Sequence, residues 1–333
     1  MFRLRPAAIA LLAAIPLFGQ EPLQGTWQAQ FGRRVHLNMS MEFGSRGGYS
    51  NYGRTFDLAE LRDFRRADGK ITFKLARDAG VFSFEGKGSE TRGSGWFEFA
   101  PSSSYRQQLE RMNFTGLTDE RLFVLAMGDL SVADVKYLEQ ATSDDLTTTQ
   151  LVRMVNHGVD VAFVRGIEGA GFRNLSSAEL TRTRDHGVTP EYIVTLQKHG
   201  HRLSLADYIR ARDHGVSEDY LGELRELGFN LNIDQVIQSR DHGVDGGFIR
   251  EMVGLGYKDL TMRDYIRMRD HGVSSDFAFD LKELGYARLD PDQLIRLRDH
   301  GVSTPFVRRA NRERGRQLSV DELVRLRSHA DLR

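Results

Sequence analysis

Two patterns of apolar and polar residues divide the chain. Between residues 21 and 100, apolar and polar side chains alternate, most clearly from Val35 to Phe43. A period of two predicts antiparallel strands with one buried and one solvated face. We expect five or six strands in a small sandwich or incomplete barrel, with the glycine-rich stretch from Gly86 to Gly95 separating two of them.

A helical repeat fills residues 101 to 333. The sequence Arg-Asp-His-Gly-Val recurs every 28 or 29 residues, and its histidines are His186, His214, His242, His271 and His300. Each copy closes an apolar-patterned segment that opens with Ser, Thr, Asn or Asp, the preferred helix N-cap residues. The glycine suits the left-handed position just past a helix C-terminus. The motif therefore predicts the end of one helix per repeat.

A second helix follows in each repeat. It starts at another capping residue, carries an aromatic residue three positions later, as in Ser217 and Tyr220, and ends at a second glycine such as Gly228. Asn113 takes the place of this glycine in the first copy. Helices this short are marginal alone, so neighbouring copies must stack. We expect about eight two-helix repeats of 28–29 residues in an α-helical solenoid, and an α+β multidomain fold class overall.

The first twenty residues predict an export signal. Arg3 and Arg5 precede an apolar run from Ala7 to Phe18, which is shorter than the roughly 20 residues that span a bilayer. We expect cleavage near residue 20, with an uncleaved N-terminal anchor as the alternative, and no integral membrane span in the mature chain. The predicted domains are a signal peptide (1–20), an antiparallel β module (21–100) and the helical repeats (101–333).

Charge and cysteine content narrow the functional classes. Lys plus Arg and Asp plus Glu balance at 46 each, so no global field favours nucleic acid or an anionic membrane. The sequence has no cysteine, which excludes disulfides, thiolate metal sites and a cysteine nucleophile. Together with the export signal, this composition favours a bacterial periplasmic or secreted protein.

The repeated histidines are predicted to be structural caps. Each precedes a terminal glycine, where the helix dipole favours a cation and free carbonyls need donors. Metal binding by neighbouring imidazoles and pH sensing are the alternatives. A metal site needs three or four converging ligands, whereas each repeat supplies one histidine. We therefore predict no metal ligands and no cofactor.

The aspartates of the motif lie at helix C-termini, where negative charge is unfavourable and arginines are expected to compensate. One interpretation is a run of Arg–Asp pairs within and between repeats. The other is a ridge of guanidinium groups that binds a partner bearing carboxylates or phosphates. This candidate partner-binding ridge consists of the arginines four residues before the histidines: Arg182, Arg210, Arg267 and Arg296.

Catalytic motifs are missing from the sequence. It contains no His-Glu-x-x-His, no Gly-x-Ser-x-Gly and no P-loop, so we predict no catalytic residues and no enzyme. The triplet Gly25-Thr26-Trp27 resembles the Gly-x-Trp signature of lipocalins. We nevertheless predict Trp27 to be a core residue, because 80 residues are few for a barrel with a ligand cavity.

The repeats resemble known sequences. The copy from Leu260 to Tyr286 looks like the tandem repeats of uncharacterised bacterial exported proteins. It is also similar to the repeat tails of some antirepressor-type sensor peptidases related to BlaR. The resemblance covers residues 101–333 and implies no known activity. The peptidase part of those sensors and its zinc motif have no counterpart in this sequence, so no catalytic residue is carried over.

Two hypotheses for the function follow. The favoured one is a periplasmic or secreted interaction scaffold or regulatory protein that binds a protein partner through its helical repeats. The alternative is a module that binds a cell-envelope polymer or a small ligand through the lipocalin-like β module. Neither hypothesis involves nucleic acid.

Overall fold

The computed structural model describes residues 23–43, 48–287 and 289–330. The predicted signal peptide and its cleavage point lie outside these residues. The chain forms two compact units, Met1–Val161 and Ala162–Arg333. Strands occupy the beginning of the first unit and helices the rest of the described chain, which confirms the α+β class.

One antiparallel sheet contains all the strands that are described. They are β1 (Leu23–Gln30), β2 (Arg34–Phe43), β3 (Gly48–Asp57), β4 (Leu61–Ala67), β5 (Lys70–Arg77), β6 (Gly80–Gly88) and β7 (Arg92–Pro101). Their order across the sheet is β3-β2-β1-β7-β6-β5-β4. The first and last strands in sequence are therefore neighbours at the centre of the sheet.

The sheet must curl, because its two edge strands are consecutive in sequence. In a flat sheet of seven strands, β3 and β4 would lie about 29 Å apart. The step from Asp57 to Leu61, through the short 3₁₀ helix Leu58–Glu60, reaches only about 14 Å even when extended. The edges are thus drawn together at one end, which gives a half-barrel.

The expected number of five or six strands was wrong, since the described residues already form seven. The reason lies in the edge strands. In β4, the pairing with β5 shifts between Arg62 and Arg65, and Asp63 has a positive φ of 51°, so a bulge interrupts the alternation. In β3, the sequence from Ser50 to Asp57 is mostly small or polar and shows no apolar period.

Glycines on the buried, inner face of the sheet make room for Trp27. Gly86 lies opposite Gly95 on the neighbouring strand, and Gly88 lies opposite Gly93. A Cβ atom on Gly86 would come within 2.8 Å of the Trp27 ring. The indole of Trp27 is 1% exposed and donates to the carbonyl oxygens of residues 85 and 96 at 3.1 and 3.0 Å. The predicted core position of Trp27 is confirmed, and its glycine-rich surroundings belong largely to strands.

Sixteen helices are described after the sheet. They are α1 (Ser103–Arg111), α2 (Asp119–Met127), α3 (Val132–Ala141), α4 (Thr148–Asn156), α5 (Val161–Gly169), α6 (Ser177–Asp185), α7 (Pro190–Lys198), α8 (Leu205–Asp213), α9 (Glu218–Glu226), α10 (Ile233–Asp241), α11 (Gly246–Leu255), α12 (Met262–Asp270), α13 (Ser275–Glu283), α14 (Pro291–Asp299), α15 (Thr304–Arg314) and α16 (Val320–Ala330). From α5 onward, the odd-numbered helices carry the aromatic residue of the repeat, and the even-numbered helices from α6 to α14 end at its Arg-Asp-His motif.

Helix boundaries follow the predicted signals. The Ser176 and Glu179 side chains form the expected reciprocal capping box. The motif glycines that end the helices have φ between 65° and 72°, as in Gly243 at 68°. Asn113, the predicted substitute for glycine, has φ of 66°. The most degenerate copy also folds, because Asp134 completes a capping box with Ser131.

The first compact unit extends beyond the sheet. Strands give way to helices near residue 101, but this unit continues to Val161. Phe123 on α2 explains the continuity, since its ring lies 5.3 Å from Phe82 and 5.5 Å from Phe99 on the inner face. The helix therefore covers the open side of the half-barrel and completes its aromatic core.

A nearly buried arginine joins the sheet to a helix end in this unit. The Arg77 guanidinium lies 2.5 Å from the Glu60 carboxylate. Its Nε lies 3.0 Å from Oδ1 of Asp129, but the Nε–H does not point at this oxygen, so the contact is an ion pair without a hydrogen bond. Burial raises the pKa of Glu60, but the Asp57 amide and the Arg77 guanidinium outweigh it, so the net shift of this pKa is downward. Burial raises the pKa of Asp129 despite Arg77.

Within the second compact unit, helices of like parity pack on each other. On the odd side, α7 contacts α9, α9 contacts α11, α11 contacts α13 and α13 contacts α15. On the even side, α12 contacts α14 and α14 contacts α16. None of the described helices has the length and hydropathy needed to cross a membrane.

Candidate interaction surfaces

The motif arginine of each repeat stacks on an aromatic ring of the preceding repeat. The guanidinium of Arg240 lies 5.1 Å from the centre of the Tyr220 ring. The same contact, at 5.0–5.2 Å, is made by Arg184 with Phe163, Arg212 with Tyr192, Arg269 with Phe248, and Arg298 with Phe277. A cation over an aromatic face contributes about 0.5–1 kcal/mol at exposed sites. The motif arginines thus link successive repeats.

The motif histidine of each repeat contacts the motif aspartate of the following repeat. The distance from Nδ1 to Oδ1 is 2.5–2.8 Å, and the side chains are 38–45% exposed. The pairs are His186 with Asp213, His214 with Asp241, His242 with Asp270, and His271 with Asp299. The final copy has Ser328 at the aspartate position, and His300 makes no ion pair with any described residue.

Histidine therefore compensates these aspartates, where Arg–Asp pairs were expected. The five predicted cap histidines occupy the C-cap positions of α6, α8, α10, α12 and α14. The free carbonyls at these helix ends are bonded by backbone amides. After α6, for example, Gly187 donates to Arg184 at 3.0 Å and Val188 donates to Thr183 at 3.1 Å. This backbone motif leaves the imidazole available for the next repeat.

Three arginines of the predicted ridge also contact the next repeat. They pair with the second residue of the following even helix at 2.5–2.6 Å: Arg210 with Asp234, Arg267 with Asp292, and Arg296 with Asp321. The fourth, Arg182, has Ala206 at that position and is exposed without an ion pair in the described chain. Where the ridge arginine is replaced by Gln238, the following acid is replaced by Arg263. Three of the four ridge arginines thus belong to the interface between repeats, and Arg182 does not.

Metal ligation finds no support in the geometry of the described residues. No group of three or more His, Asp or Glu side chains there is close enough to hold an ion. Each of the four paired histidines meets one carboxylate, and successive pairs belong to different interfaces.

The odd helices carry a different kind of surface. Val194 on α7 and Phe279 on α13 are exposed apolar side chains, and Phe279 is 51% exposed. Both occupy the fifth position of their helix, where the other repeats have Arg165, Gly222, Arg250 and Arg308. These six positions on α5, α7, α9, α11, α13 and α15 are named the variable row here. The sequence alone could have indicated this row, because the residue two positions after each repeated aromatic changes type from copy to copy.

Basic residues flank Phe279 in the variable row. Arg250 and Arg308 occupy the equivalent positions on the adjacent helices α11 and α15. Arg250 pairs with Glu223 at 3.1 Å. Arg308 and Arg312, one turn apart on α15, are exposed and form no ion pair among the described residues. Between residues 308 and 316 the chain has five arginines and one glutamate.

The sheet contributes a second surface on its outer face. Trp96 on β7 is 70% exposed there, between Thr26 on β1 and Glu85 on β6. One rung further along the strands lies an open cavity of about 660 Å³. Its polar lining side chains are Gln28, Gln30, His36, Asn38, Lys87, Ser89, Arg92 and Ser94.

The inner face of the sheet is a packed aromatic core. Trp27, Phe73 and Phe84 fill it, with ring centres 4.4–6.0 Å apart. Gly25, the first residue of the lipocalin-like triplet, is required because a Cβ there would lie 2.4 Å from the carbonyl oxygen of Ser40 and 2.7 Å from the Phe97 ring. The triplet is thus accounted for by packing.

In comparisons with known proteins, no family model, no curated protein and no solved structure matches the chain.

Proposed function

We propose that the protein is an exported interaction scaffold whose helical repeats stack as a solenoid and bind a protein partner along the variable row. The observation that carries this proposal is Phe279, an aromatic residue held 51% exposed on α13. Phe279 is singled out because it lies between two arginines of the variable row, Arg250 and Arg308. Aromatic and arginine side chains together are typical of the centres of protein interfaces.

The even helices are less suited to a partner. Their motif arginines, aspartates and histidines, and three of the four ridge arginines, are engaged between repeats. A partner that used these groups would have to replace existing contacts, with little net gain. In the variable row the residue type changes from copy to copy, and Phe279 and Arg308 form no ion pair within the described chain. A partner can therefore contact these two residues without replacing an ion pair between repeats.

The chemistry of the row defines the partner. An apolar side chain would cover Phe279, and acidic side chains would meet Arg308 and Arg312. Complementary charge at the rim of an interface speeds association and selects among partners. We therefore propose a partner segment that combines an apolar anchor with Asp or Glu residues.

The proposed location is the periplasm or the exterior of a bacterial cell. The basic start at Arg3 and Arg5 and the short apolar run after it support export. The proposed function is binding without catalysis, since the distinctive side chains of the repeats contact each other across successive interfaces.

Affinity capture with the full chain tests the scaffold. Tagged protein is incubated with envelope extract from the native cells, and retained proteins are quantified by mass spectrometry. Phe279→Asp and the double variant Arg308→Glu/Arg312→Glu should each lose the specific partner by tenfold or more, because one removes the apolar anchor and the other reverses the charge. Thermal unfolding is measured in parallel to show that the variants remain folded.

Leu58→Asp is the matched control, because Leu58 is an exposed apolar residue outside the row, at 39% exposure. The control should retain the partner. A partner kept by Phe279→Asp, or lost equally with Leu58→Asp, would refute the proposed surface. Retention of no protein above the tag background would refute the scaffold itself.

A further inference from the structure

The cavity on the outer face of the sheet is lined by exposed polar side chains. Five of its lining side chains form no hydrogen bond or ion pair within the part of the chain that is described: Gln28, Gln30, Asn38, Lys87 and Arg92. Elsewhere on this face Ser40 donates to Asn51 at 2.6 Å, and at the cavity itself Nδ1 of His36 lies 2.9 Å from the hydroxyl of Thr55. The cavity thus presents amides and cations that no described side chain engages.

The backbone of Trp96 is anchored beside this cavity. Its carbonyl oxygen accepts a hydrogen bond from the buried indole of Trp27, and its strand lies between β1 and β6 near the centre of the sheet. Ser94, two residues before it on the same face, lines the cavity about 7 Å away along the strand. A flat aromatic platform thus lies at the rim of a polar depression, in a face that is otherwise polar.

The composition of the cavity selects the ligand. Amide side chains both donate and accept hydrogen bonds, as vicinal hydroxyl groups require. An exposed indole offers an apolar face to the C–H groups of a pyranose ring. Lys87 and Arg92 supply two cations, and the lining contains no Asp or Glu. The volume of about 660 Å³ lies within the range of small-molecule sites, about 300–1,000 Å³.

We propose that this face binds an acidic oligosaccharide. One pyranose ring stacks on Trp96, the hydroxyls of the adjoining sugar bond to Gln28, Gln30 and Asn38, and a sugar carboxylate pairs with Lys87 and Arg92. This site is independent of the variable row. The chain would then hold a glycan through its sheet and a protein through its helices.

Tryptophan fluorescence of the full chain tests the site directly. The chain has two tryptophans, and Trp27 is 1% exposed, so acrylamide quenching reports on Trp96. The probes are a uronic acid tetrasaccharide and the neutral hexose tetrasaccharide of the same linkage. The acidic probe should shift the emission to the blue and protect Trp96 from acrylamide, with an affinity at least tenfold higher than that of the neutral probe.

Calorimetric titration of variants distinguishes the contribution of Trp96 from that of the two cations. Trp96→Ala should weaken binding of both probes tenfold or more. Because Trp96 is exposed, this variant should remain folded. Lys87→Ala/Arg92→Ala should remove the preference for the acidic probe. The matched control, Arg111→Ala/Lys136→Ala, removes the same charges from exposed positions on α1 and α3 and should bind as wild type.

Three outcomes would overturn the proposal. They are no binding of the acidic probe at about 10 mM, equal affinity for the two probes in the wild type, and undiminished binding by Trp96→Ala.

Discussion

Nδ1 of His214 lies 2.7 Å from Oδ1 of Asp241, although 27 residues separate them along the chain. The separation is one residue short of a repeat, so the histidine of one repeat meets the aspartate of the next. A single exposed pair of this kind stabilises a protein by at most about 1 kcal/mol. The contact recurs at three further interfaces of the described chain. The contributions of the pairs to stability add when each repeat contacts only its neighbours.

His214→Gln should lower the free energy of unfolding by about 0.5–1 kcal/mol, because the contact with Asp241 is lost and the other interfaces remain. Urea unfolding at neutral pH, with circular dichroism as the signal, measures the loss. His300→Gln is the matched control, since Ser328 stands where its aspartate would be, and it should cost less. An equal loss in the two variants would show that the His–Asp contact contributes nothing.

Gly243→Val should destabilise the chain by more than about 1 kcal/mol, because Gly243 has φ of 68° and a β-branched residue is strained there. Gly254→Ala is the comparison. Gly254 lies inside α11 with no atom within 4 Å of the position of a Cβ, so this change should be neutral or stabilising. Chemical denaturation gives both values. A loss below about 0.5 kcal/mol for Gly243→Val would mean that this glycine is not needed to end α10.

Gly95→Ala should disrupt the sheet, because the added Cβ would lie 2.0 Å from the carbonyl oxygen of Glu85 and β6 cannot retreat without breaking its pairing. We expect a loss of about 1–3 kcal/mol or more and a red shift of Trp27 fluorescence. Gly32→Ala, whose nearest contact would be 3.6 Å, should leave both observables unchanged. A variant Gly95→Ala as stable as Gly32→Ala would contradict the close approach of β6 and β7.

The Glu60–Arg77 pair predicts a pH dependence of stability. The folded-state pKa of Glu60 is lowered, so its contribution is present above the unfolded-state pKa and is lost as the pH falls through the folded-state value. Glu60→Gln should therefore be less stable than wild type near pH 7, and the difference should shrink on acidification to about pH 3. Thermal unfolding across this range provides the measurement.

Asp129 predicts a pH dependence of stability that is opposite in sign to that of Glu60. Its folded-state pKa is raised, so its ionisation disfavours the folded state as the pH rises. Asp129→Asn should gain stability relative to wild type between acid and neutral pH. Parallel trends in the Glu60→Gln and Asp129→Asn variants would rule out this assignment.

Local signals made the helical part predictable. The capping box of Ser176 and Glu179 and the left-handed glycine at Gly243 depend on residues within one turn, and repetition of the motif reinforced each of them. Even Asn113 could be recognised, since few residues other than glycine tolerate positive φ.

The rest of the structure could not be predicted, because it depends on contacts between residues far apart in sequence. The partner of Asp241 could not be inferred, because it depends on the offset between stacked helices, and arginine was the expected partner. The bulge at Asp63 and the pairing of Gly86 with Gly95 depend on neighbouring strands. The cavity beside Trp96 unites residues that lie more than 60 positions apart, and no local pattern marks them.

The contacts between repeats have a direction, and this has an evolutionary consequence. The motif Arg and Asp point to the preceding copy and the His points to the following one, so a duplicated 28- or 29-residue segment placed inside the array would find both of its neighbours already complementary. Ser328 replaces the aspartate that would meet His300, so the series of pairs is interrupted at this interface. Lineages of this protein should therefore differ in length by whole internal copies.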